Sequence, residues 1–476
     1  MTKNRGDAMH EPEDKLLFQH KNAADVMGKT ETEAADTYAE GYIGFLNRAK
    51  TEREAVTEAI RMAQGKAFVP WRQGMSFAAD AGGTAARVYV NQRGKAVIFC
   101  VRGKRPLSEG ISIISSHIDS PRLDLKMRPL YEEAGMAYLD THYYGGIKTY
   151  QWTGIPLALH GYIVRKDGSG VPVCIGEERE DPVLFIADLL PHLAKTQMER
   201  PGKELVKAED LDVLAGLRSF PGASGEGRIK RNILRILHEK YHITEEDLIS
   251  AELSVVPAFP ARDLGLDRSM VGGYGQDDKV CVYPALTALF AAEAPEYTAC
   301  VVLADKEETG SLGMTGMQGA FFSNFIEDLA ESSGEKARVI LSQSFCLSAD
   351  VNTAYYPLYP EVFDPHGEAA LNHGVILFRY WGRGGKENTN DAQAETVANL
   401  RRILDDAGVL WQTGEGGQVD AESSGTLSRF FAALDIPTVD LGVPLLSMHS
   451  PFEAAAKADL YMAHRAFAAF FTRPGQ

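Results

Sequence analysis

One short apolar run, followed at once by a polar cluster, constrains the fold more than any other part of the chain. The run Ile111 to Ile114 is bounded by turn residues, which is typical of a buried strand. The polar stretch Ser115-Ser-His-Ile-Asp-Ser-Pro121 then places His117 and Asp119 where that strand ends. Sites in open α/β sheets lie at the carboxyl ends of strands, so the pattern favours an α/β fold with a site at that edge.

His117 and Asp119 are two residues apart, and in an extended segment their side chains share a face. The carboxylate of Asp119 could then hold the imidazole, as carboxylates do for histidines that bind metals. A solvated histidine beside a helix-capping aspartate fits the same pattern. The motif alone does not decide between these interpretations.

Composition excludes several classes of protein. A chain of 476 residues with 45% hydrophobic and 24% charged residues is typical of a globular protein with one large or two modest domains. The net charge of −16 argues against nucleic acid or an anionic membrane as the main partner. No apolar run reaches the ~18 residues of a membrane span, and the N-terminal stretch lacks the apolar core of a signal peptide. The five scattered cysteines are predicted to be buried, reduced thiols, and the protein to be cytoplasmic.

The distribution of predicted elements divides the chain. Residues 121–262 are rich in strands, with a hairpin at Asp167-Gly168, and helices are predicted near 181–195 and 228–241. This stretch is predicted to be a β-rich domain inserted into a discontinuous α/β domain of residues 1–120 and 263–476. Further predictions are a helix over 313–329, a strand over 339–341 and a C-terminal helix that begins at Ser450-Pro-Phe-Glu453.

Four further acidic or histidine motifs follow apolar runs or begin helices. They are Gln276-Asp-Asp278, Asp305-Lys-Glu-Glu308, Asp350 and His449. Each alone also fits a simpler explanation, such as helix capping or an exposed acidic loop. Adjacent carboxylates at a strand end point to opposite sides, so Glu307 and Glu308 can do different work. One can bind a metal while the other takes the proton of a water.

Taken together, the motifs predict a metal site. Histidine and carboxylate ligands without cysteine suit zinc, and also tolerate cobalt or manganese. Two histidines and three carboxylates suffice for two ions if one carboxylate bridges them. The candidate ligands are His117, Asp277, Glu308, Asp350 and His449.

These motifs, in this order, resemble those of the M18 family of metallo-aminopeptidases, of which the aspartyl aminopeptidases are the best-known members. The resemblance extends from about residue 30 to the end of the chain. It rests on Ser116-His-Ile-Asp-Ser-Pro-Arg122, Gly275-Gln-Asp-Asp-Lys-Val280, Asp305-Lys-Glu-Glu-Thr-Gly-Ser311, Ser348-Ala-Asp350 and Val443-Pro-Leu-Leu-Ser-Met-His449.

The resemblance implies a zinc-peptidase α/β catalytic domain, with a mixed sheet flanked by helices, that a smaller β-rich domain interrupts. It also implies two zinc ions and release of the N-terminal residue from peptides. In the implied ligand set, His117 and Asp350 bind one zinc, Glu308 and His449 bind the other, and Asp277 bridges the two ions. Asp278 is not a ligand by this resemblance. Glu307 is implied to be the general base, and Asp119 to orient His117.

The resemblance also implies a homo-oligomer, because members of the family form tetrahedral dodecamers. In some members a histidine of the inserted domain reaches the active site of a neighbouring subunit. His192 is the counterpart by this resemblance. The stretches Arg379 to Lys386 and Asp420 to Thr426 look closer to a bacterial branch than to the eukaryotic aspartyl enzymes.

Preference for an acidic N-terminal residue would need a cationic partner in the pocket, for which Lys386 and Arg383 are candidates. Two alternative functions stay open at this point. One is a related amidase or deacylase acting on small amides, and the other is a catalytically silent scaffold protein of the same fold.

Overall fold

A nine-stranded mixed sheet forms the centre of the computed structural model, which describes residues 16–78, 85–382, 384–420 and 425–473. Its strands are β1 (Val69–Pro70), β2 (Arg87–Gln92), β3 (Ala96–Val101), β4 (Ile111–His117), β13 (Thr298–Ala304), β14 (Phe345–Ser348), β16 (Val375–Phe378), β17 (Trp411–Thr413) and β18 (Thr438–Gly442). They lie side by side in the order β1-β2-β3-β13-β4-β14-β18-β16-β17.

The four middle strands, β13, β4, β14 and β18, run parallel. Ala304 pairs with His117, and Ser348 pairs with Ser115, so these strands end at the same edge of the sheet. Every residue of β4 and of β13 is buried, because helices cover both faces of this part of the sheet.

Alternate residues of the strands supply two hydrophobic cores, one on each face. Val97 and Phe99 of β3 point into one core, and Ile98 and Cys100 into the other. The first core includes residues of helices Lys29–Arg48, Glu52–Gln64, Gln276–Ala291, Ala394–Asp406 and Lys457–Phe471. The second includes residues of helices Phe321–Ser333, Ala337–Gln343 and Ser428–Ala432.

A second, six-stranded antiparallel sheet is formed by strands that lie between Arg122 and Pro257. It has its own core, which includes Leu123, Trp152 and Val255, and helix Arg228–Tyr241 contributes to that core. The strands are β5 (Arg122–Glu133), β6 (Met136–Tyr144), β7 (Leu157–Val164), β8 (Gly170–Ile175), β9 (Val213–Gly216) and β10 (Ala251–Pro257).

A third, five-stranded sheet completes the strand inventory of the described residues. Its strands are β11 (Arg262–Leu264), β12 (Met270–Gly273), β15 (Asn352–Thr353), β19 (Pro444–Leu446) and β20 (Glu453–Ala456). Two short helices, Ala23–Val26 and Lys195–Met198, lie outside the three cores apart from Ala23. Among the described residues, no helix is both long enough and apolar enough to cross a membrane.

The mixed central sheet flanked by helices confirms the predicted α/β class. The capping box at Thr51 and Glu54 begins helix Glu52–Gln64, and the predicted helix over 228–241 is present with those bounds. The hairpin at Asp167-Gly168 joins β7 to β8.

The helix predicted near 181–195 is wrong. Leu184 instead pairs with Leu157 of the second sheet, and Phe185 pairs with Leu214. Pro182 and Pro191 also interrupt the stretch, and proline in a helix interior removes a hydrogen bond. The only helix there is the four-residue Lys195–Met198.

Three other predicted elements differ from the structure. The run at 339–341 lies in helix Ala337–Gln343, since a short apolar run does not distinguish a strand from a buried helix. The helix predicted from Gly313 begins only at Phe321, after a glycine-containing loop. The C-terminal helix begins at Lys457, because Glu453 starts β20 and pairs with Gly273.

The prediction that all five cysteines are buried, reduced thiols is wrong. Cys100 and Cys300 pair across neighbouring antiparallel strands and form a disulfide. Of the other three, Cys281 and Cys346 are free and buried, while Cys174 is free and exposed. The sequence places Cys100 and Cys300 far apart, so only the pairing of β3 with β13 brings them together.

Candidate metal centre

Five predicted ligands converge at the carboxyl edge of the parallel strands. His117 ends β4, and Asp350 follows β14 by two residues. Glu308 lies in a single helical turn, Glu307–Thr309, just after β13. Asp277 lies at the start of helix Gln276–Ala291, and His449 precedes β20. The parallel register therefore brings together residues that are distant in sequence.

Asp277 lies between the two histidines. Its Oδ1 is 3.1 Å from Nε2 of His117, and its Oδ2 is 3.1 Å from Nε2 of His449. Asp350 Oδ1 is 3.7 Å from the same nitrogen of His117, and Glu308 Oε2 is 3.4 Å from Nε2 of His449. Each oxygen of Asp277 thus faces one histidine, and each of these histidines also faces one further carboxylate.

The donor set fits divalent cations. Ligand atoms of His117, Asp277 and Glu308 lie within 4.8 Å of one another, as do those of His117, Asp278 and Asp350. Within the described residues, Glu308 Oε1 is buried without a hydrogen-bond partner. Buried carboxylates this close need a compensating charge, and histidine with carboxylate oxygen is a zinc-type donor set.

The pKa values show how crowded the carboxylates are. Burial raises the pKa of Glu308 well above its ordinary value, and burial also raises that of Asp350. Burial opposes ionisation of Asp277 too, but hydrogen bonds with His117 and His449 outweigh burial and lower its pKa. Cations would favour the charged forms of all three carboxylates.

Asp119 connects His117 to the Glu307–Glu308 turn. The Nδ1 of His117 is 3.0 Å from the carbonyl oxygen of Asp119 and 3.4 Å from its Oδ1. The N–H groups of Glu307 and Glu308 donate to Oδ1 and Oδ2 of Asp119, both at 3.2 Å. Burial raises the pKa of Asp119, but hydrogen bonding to His117 outweighs burial and lowers it.

Glu307 lies beside the cluster, and among the ion pairs of the described residues none joins Glu307 to His117 or His449. Burial raises the pKa of Glu307 to about 8, His117 opposes this rise, and Asp350 and Asp119 add to it. A carboxyl group with a pKa near neutrality is suited to accept and return a proton.

Comparison with known proteins identifies the family to which this geometry belongs. The family model of aminopeptidase I zinc metalloproteases (M18) matches residues 45–471. The chain belongs to the M18 family. A probable M18 family aminopeptidase 1 of Clostridium acetobutylicum is 44% identical over 464 residues, covering 96% of this chain and 98% of that protein. Its counterpart in Thermotoga maritima is 42% identical over 457 residues, covering 95% and 98%.

Solved M18 structures share the fold. The crystal structure of the Thermotoga maritima M18 aminopeptidase has a TM-score of 0.90 at 40% identity. The match covers 96% of this chain and 100% of the Thermotoga chain. Aminopeptidase I of Clostridium acetobutylicum has a TM-score of 0.88 at 43% identity. The predicted family and fold are confirmed, and this M18 chain is a zinc-dependent aminopeptidase, a hydrolase of peptide bonds.

Asp278 of this M18 chain lies beside the cluster, and other groups engage one of its two oxygens, while its Oδ1 is buried without a hydrogen-bond partner among the described residues. Its Oδ2 accepts from the hydroxyl of Ser116 and from the N–H of His117, the latter at 3.3 Å. The peptide bond between Asp277 and Asp278 is cis. Asp278 groups geometrically with His117 and Asp350, whereas the resemblance leaves it out of the ligand set, so that assignment stays a prediction.

Glu453 is a residue of the M18 site that sequence reasoning missed. The carboxylate is buried and accepts from three backbone N–H groups: His449 at 2.9 Å, Gln276 at 2.6 Å and Asp277 at 3.3 Å. It therefore ties together two of the loops that carry candidate ligands. The spacing Ser450 to Glu453 imitates a capping box, which concealed this role.

The contacts of the described residues join neither of the two predicted substrate-binding residues, His192 and Lys386, to the cluster, and their role stays a prediction. His192 lies exposed in a turn before the short helix Lys195–Met198. Lys386 is 3.0 Å from Asp391 and 4.0 Å from the ring centre of Tyr380, and it is exposed. Arg383 and residues 421–424 lie outside the described residues.

Proposed function

We propose that this enzyme removes the N-terminal residue of peptides with a centre of two zinc ions. His117 and Asp350 would hold one ion, and Glu308 and His449 the other, with Asp277 as the bridge. The position of Asp277 carries this proposal, because its two oxygens each lie 3.1 Å from a different histidine. Cobalt or manganese could replace zinc on the same donors.

The residues around the ions divide the remaining work. Bound zinc supplies a Lewis acid that polarises the scissile carbonyl and makes a water more acidic. Glu307 would take the proton from that water and deliver it to the leaving amine. Asp119 would hold His117 through its side chain and hold the Glu307–Glu308 turn through two N–H groups.

The substrate pocket is proposed to include Lys386, with a preference for acidic N-terminal residues. The lysine carries the charge that an acidic side chain needs. Its contact with Asp391 at 3.0 Å competes for that charge, which argues for a weak preference. A panel of peptides decides this point.

The assembly is proposed to be a homo-oligomer, and in its most specific form a tetrahedral dodecamer. A structure of the yeast mApe1 is described as a dodecamer, and its likeness to this chain, 21% identity at a TM-score of 0.75, is one of fold. The stretch that carries His192 also exposes Leu189, Leu190 and Leu193, with 55%, 50% and 72% of their surface accessible. His192 would then face a neighbouring subunit. Light scattering after gel filtration would test this assembly.

Two broader assignments are also proposed. Residues 121–262 would form an inserted domain within the catalytic domain of residues 1–120 and 263–476. The separate core of the second sheet supports this division. The enzyme would work in the cytoplasm on peptides, without nucleic acid or membrane partners, in line with its net charge of −16.

The deciding experiment measures release of the N-terminal residue from peptides that begin with acidic, aliphatic or basic residues. The enzyme is assayed as purified, after chelation, and after zinc or cobalt is added back. We expect cleavage that chelation abolishes and metal restores, with two ions per subunit by elemental analysis. Cleavage of small amides but of no peptide would favour the amidase alternative, and no turnover with two metals bound would favour a scaffold protein.

A further inference from the structure

A tripeptide at the end of a strand of the second sheet contacts residues of the metal centre. Tyr144, the last residue of β6, is followed by Gly145 and Gly146. The Tyr144 hydroxyl donates to Asp119 Oδ2 at 2.7 Å, and the Gly146 carbonyl oxygen lies 2.9 Å from Nδ1 of His449. One end of the tripeptide therefore touches the residue that orients His117, and the other end touches a candidate ligand.

The glycine between these two contacts leaves little room for a side chain. Gly145 has a φ of +71°, a left-handed conformation that favours glycine. A Cβ there would lie 3.4 Å from Oε2 of Glu308 and 3.3 Å from Cγ of Pro121. The backbone thus passes directly beside a second candidate ligand, Glu308.

Asp119 depends on Tyr144 to complete its hydrogen bonds. One oxygen of the carboxylate faces Nδ1 of His117 and accepts from Glu307 N–H, and the other accepts from Glu308 N–H. The hydroxyl of Tyr144 adds the side-chain donor to that second oxygen. A buried carboxylate with donors on both oxygens is fixed in rotation, so the hydroxyl helps set the direction in which Asp119 meets His117.

Two cations hold the Tyr144 ring. The guanidinium carbon of Arg122 is 4.1 Å from the ring centre, and Nζ of Lys306 is 5.0 Å from it. Arg122 is itself fixed by Glu52 at 3.1 Å and Asp124 at 2.8 Å. Because cation–π contacts favour a particular ring position, they keep the hydroxyl aimed at Asp119.

We propose that Tyr144 is a positioning residue for catalysis, and that through it the second sheet completes the metal centre. The hydroxyl holds the carboxylate that orients His117 and carries the Glu307–Glu308 turn. The inference rests on the proposed roles of these residues. It assigns to Tyr144 no contact with the substrate.

Tyr144→Phe tests the hydroxyl alone, because phenylalanine keeps the ring between its two cations. We expect kcat for the best peptide of the panel to fall about 10- to 100-fold, or zinc affinity in chelator competition to fall by a similar factor. KM should stay near the wild-type value, since the residue acts on the reacting groups and not on substrate binding. Wild-type kcat together with wild-type zinc affinity would overturn the proposal.

Tyr274→Phe is the matched control. Tyr274 is also buried near the site, but its hydroxyl donates to the backbone oxygen of Pro121 at 2.9 Å and not to Asp119. We expect it to lower thermal stability about as much as Tyr144→Phe while leaving kcat unchanged. An equal loss of kcat in both variants would show a general effect of losing a buried hydroxyl, and would overturn the assignment to Tyr144.

Gly145→Ala keeps the inference testable if Tyr144→Phe does not fold. The added methyl group would crowd Glu308 and Pro121, so zinc affinity should fall while the Tyr144 hydroxyl is retained. Wild-type zinc affinity in this variant would contradict a close role for the tripeptide. Glu307→Gln, assayed in parallel, distinguishes failure of the proposed function from failure of the Tyr144 inference. Full activity of Glu307→Gln would contradict the proposed catalytic roles. Loss of activity in Glu307→Gln together with full activity of Tyr144→Phe would contradict only the inference about Tyr144.

Discussion

Glu307 and Glu308 are neighbours in sequence, but their side chains have different predicted roles. Their N–H groups both donate to Asp119, one to each oxygen. Their side chains differ in their contacts: Glu308 Oε2 lies 3.4 Å from Nε2 of His449, whereas no ion pair of the described residues joins Glu307 to that histidine. A single turn after β13 thus places a candidate ligand and a candidate base on one fixed support.

Replacement of Glu307 by glutamine should abolish turnover and keep the metal. The amide has nearly the same shape but cannot take a proton, so kcat should fall by about 10²- to 10⁴-fold. Zinc content by elemental analysis should equal that of the wild type. Glu327→Gln, on helix Phe321–Ser333, is the control and should retain full activity. Near-normal kcat in Glu307→Gln would show that another group is the base.

The sequence could predict the residues at the edge of the sheet but not those that support them. His117, Asp277, Glu308, Asp350 and His449 were predicted because each stands where an apolar run ends or a helix begins. Glu453 and Tyr144 gave no such signal, since one imitates a helix cap and the other ends an ordinary alternating strand. Their roles depend on contacts between distant segments, which no local pattern encodes.

At the scale of elements, a charged cluster joins helix Glu52–Gln64 to the second sheet. His160 on β7 lies 2.7 Å from Glu54 of that helix and 2.9 Å from Glu177. Nζ of Lys50, just before the helix, lies 2.6 Å from Oε1 of Glu177. Since these side chains are mostly buried, the cluster fixes how the helix and the sheet meet.

The cluster should make stability depend on pH. Burial lowers the pKa of His160, but contacts with Cys174, Glu177 and Glu54 outweigh burial and raise it to about 11. A raised histidine pKa stabilises the fold fully below the ordinary value of about 6.5, and the benefit is lost as pH rises towards the folded value. His160→Gln should therefore lower the free energy of unfolding by about 1–3 kcal/mol near pH 6.

Denaturant unfolding at several pH values checks this prediction. The difference in unfolding free energy between wild type and His160→Gln should be widest near pH 6 and should narrow steadily as the pH rises from about 6.5 towards about 11. His142→Gln is the control, because His142 is exposed on β6 of the same sheet. A gap that is constant over this range, or that widens with pH, would show that His160 is not charged in the folded protein.

The elements themselves were predictable to different degrees. Strands such as β4 and β13 were found because they are continuous apolar runs buried on both faces. The stretch over 181–195 was not, because its apolar residues are partly exposed and its pairing partners lie elsewhere in the second sheet. Patterns of hydrophobicity report burial, and they fail where the chain exposes apolar residues.

For the whole molecule, metal should contribute substantially to stability. Without cations, the buried carboxylates of Asp277, Glu308 and Asp350 repel one another, and folding must oppose that repulsion. Ions that bind only the folded state at 1,000 times their dissociation constant add about 4 kcal/mol. Chelation should therefore lower the midpoint of thermal unfolding, and zinc should restore it.

Differential scanning calorimetry with elemental analysis tests this expectation. Asp350→Asn should show a smaller zinc-dependent shift than the wild type, whereas Glu307→Gln should show the full shift. An identical midpoint before and after verified removal of zinc would mean that the centre does not couple to global stability.

The strand order of the central sheet also determines when the enzyme can fold. β4 lies between β13 and β14, which come much later in the chain, and the whole second sheet is made in between. On the ribosome, β4 must wait for both neighbours while the second sheet is already complete. Contacts this distant in sequence slow folding. β18 and His449 are made after β14 and would then complete the edge where catalysis occurs, so a nascent chain released before them would be an inactive peptidase.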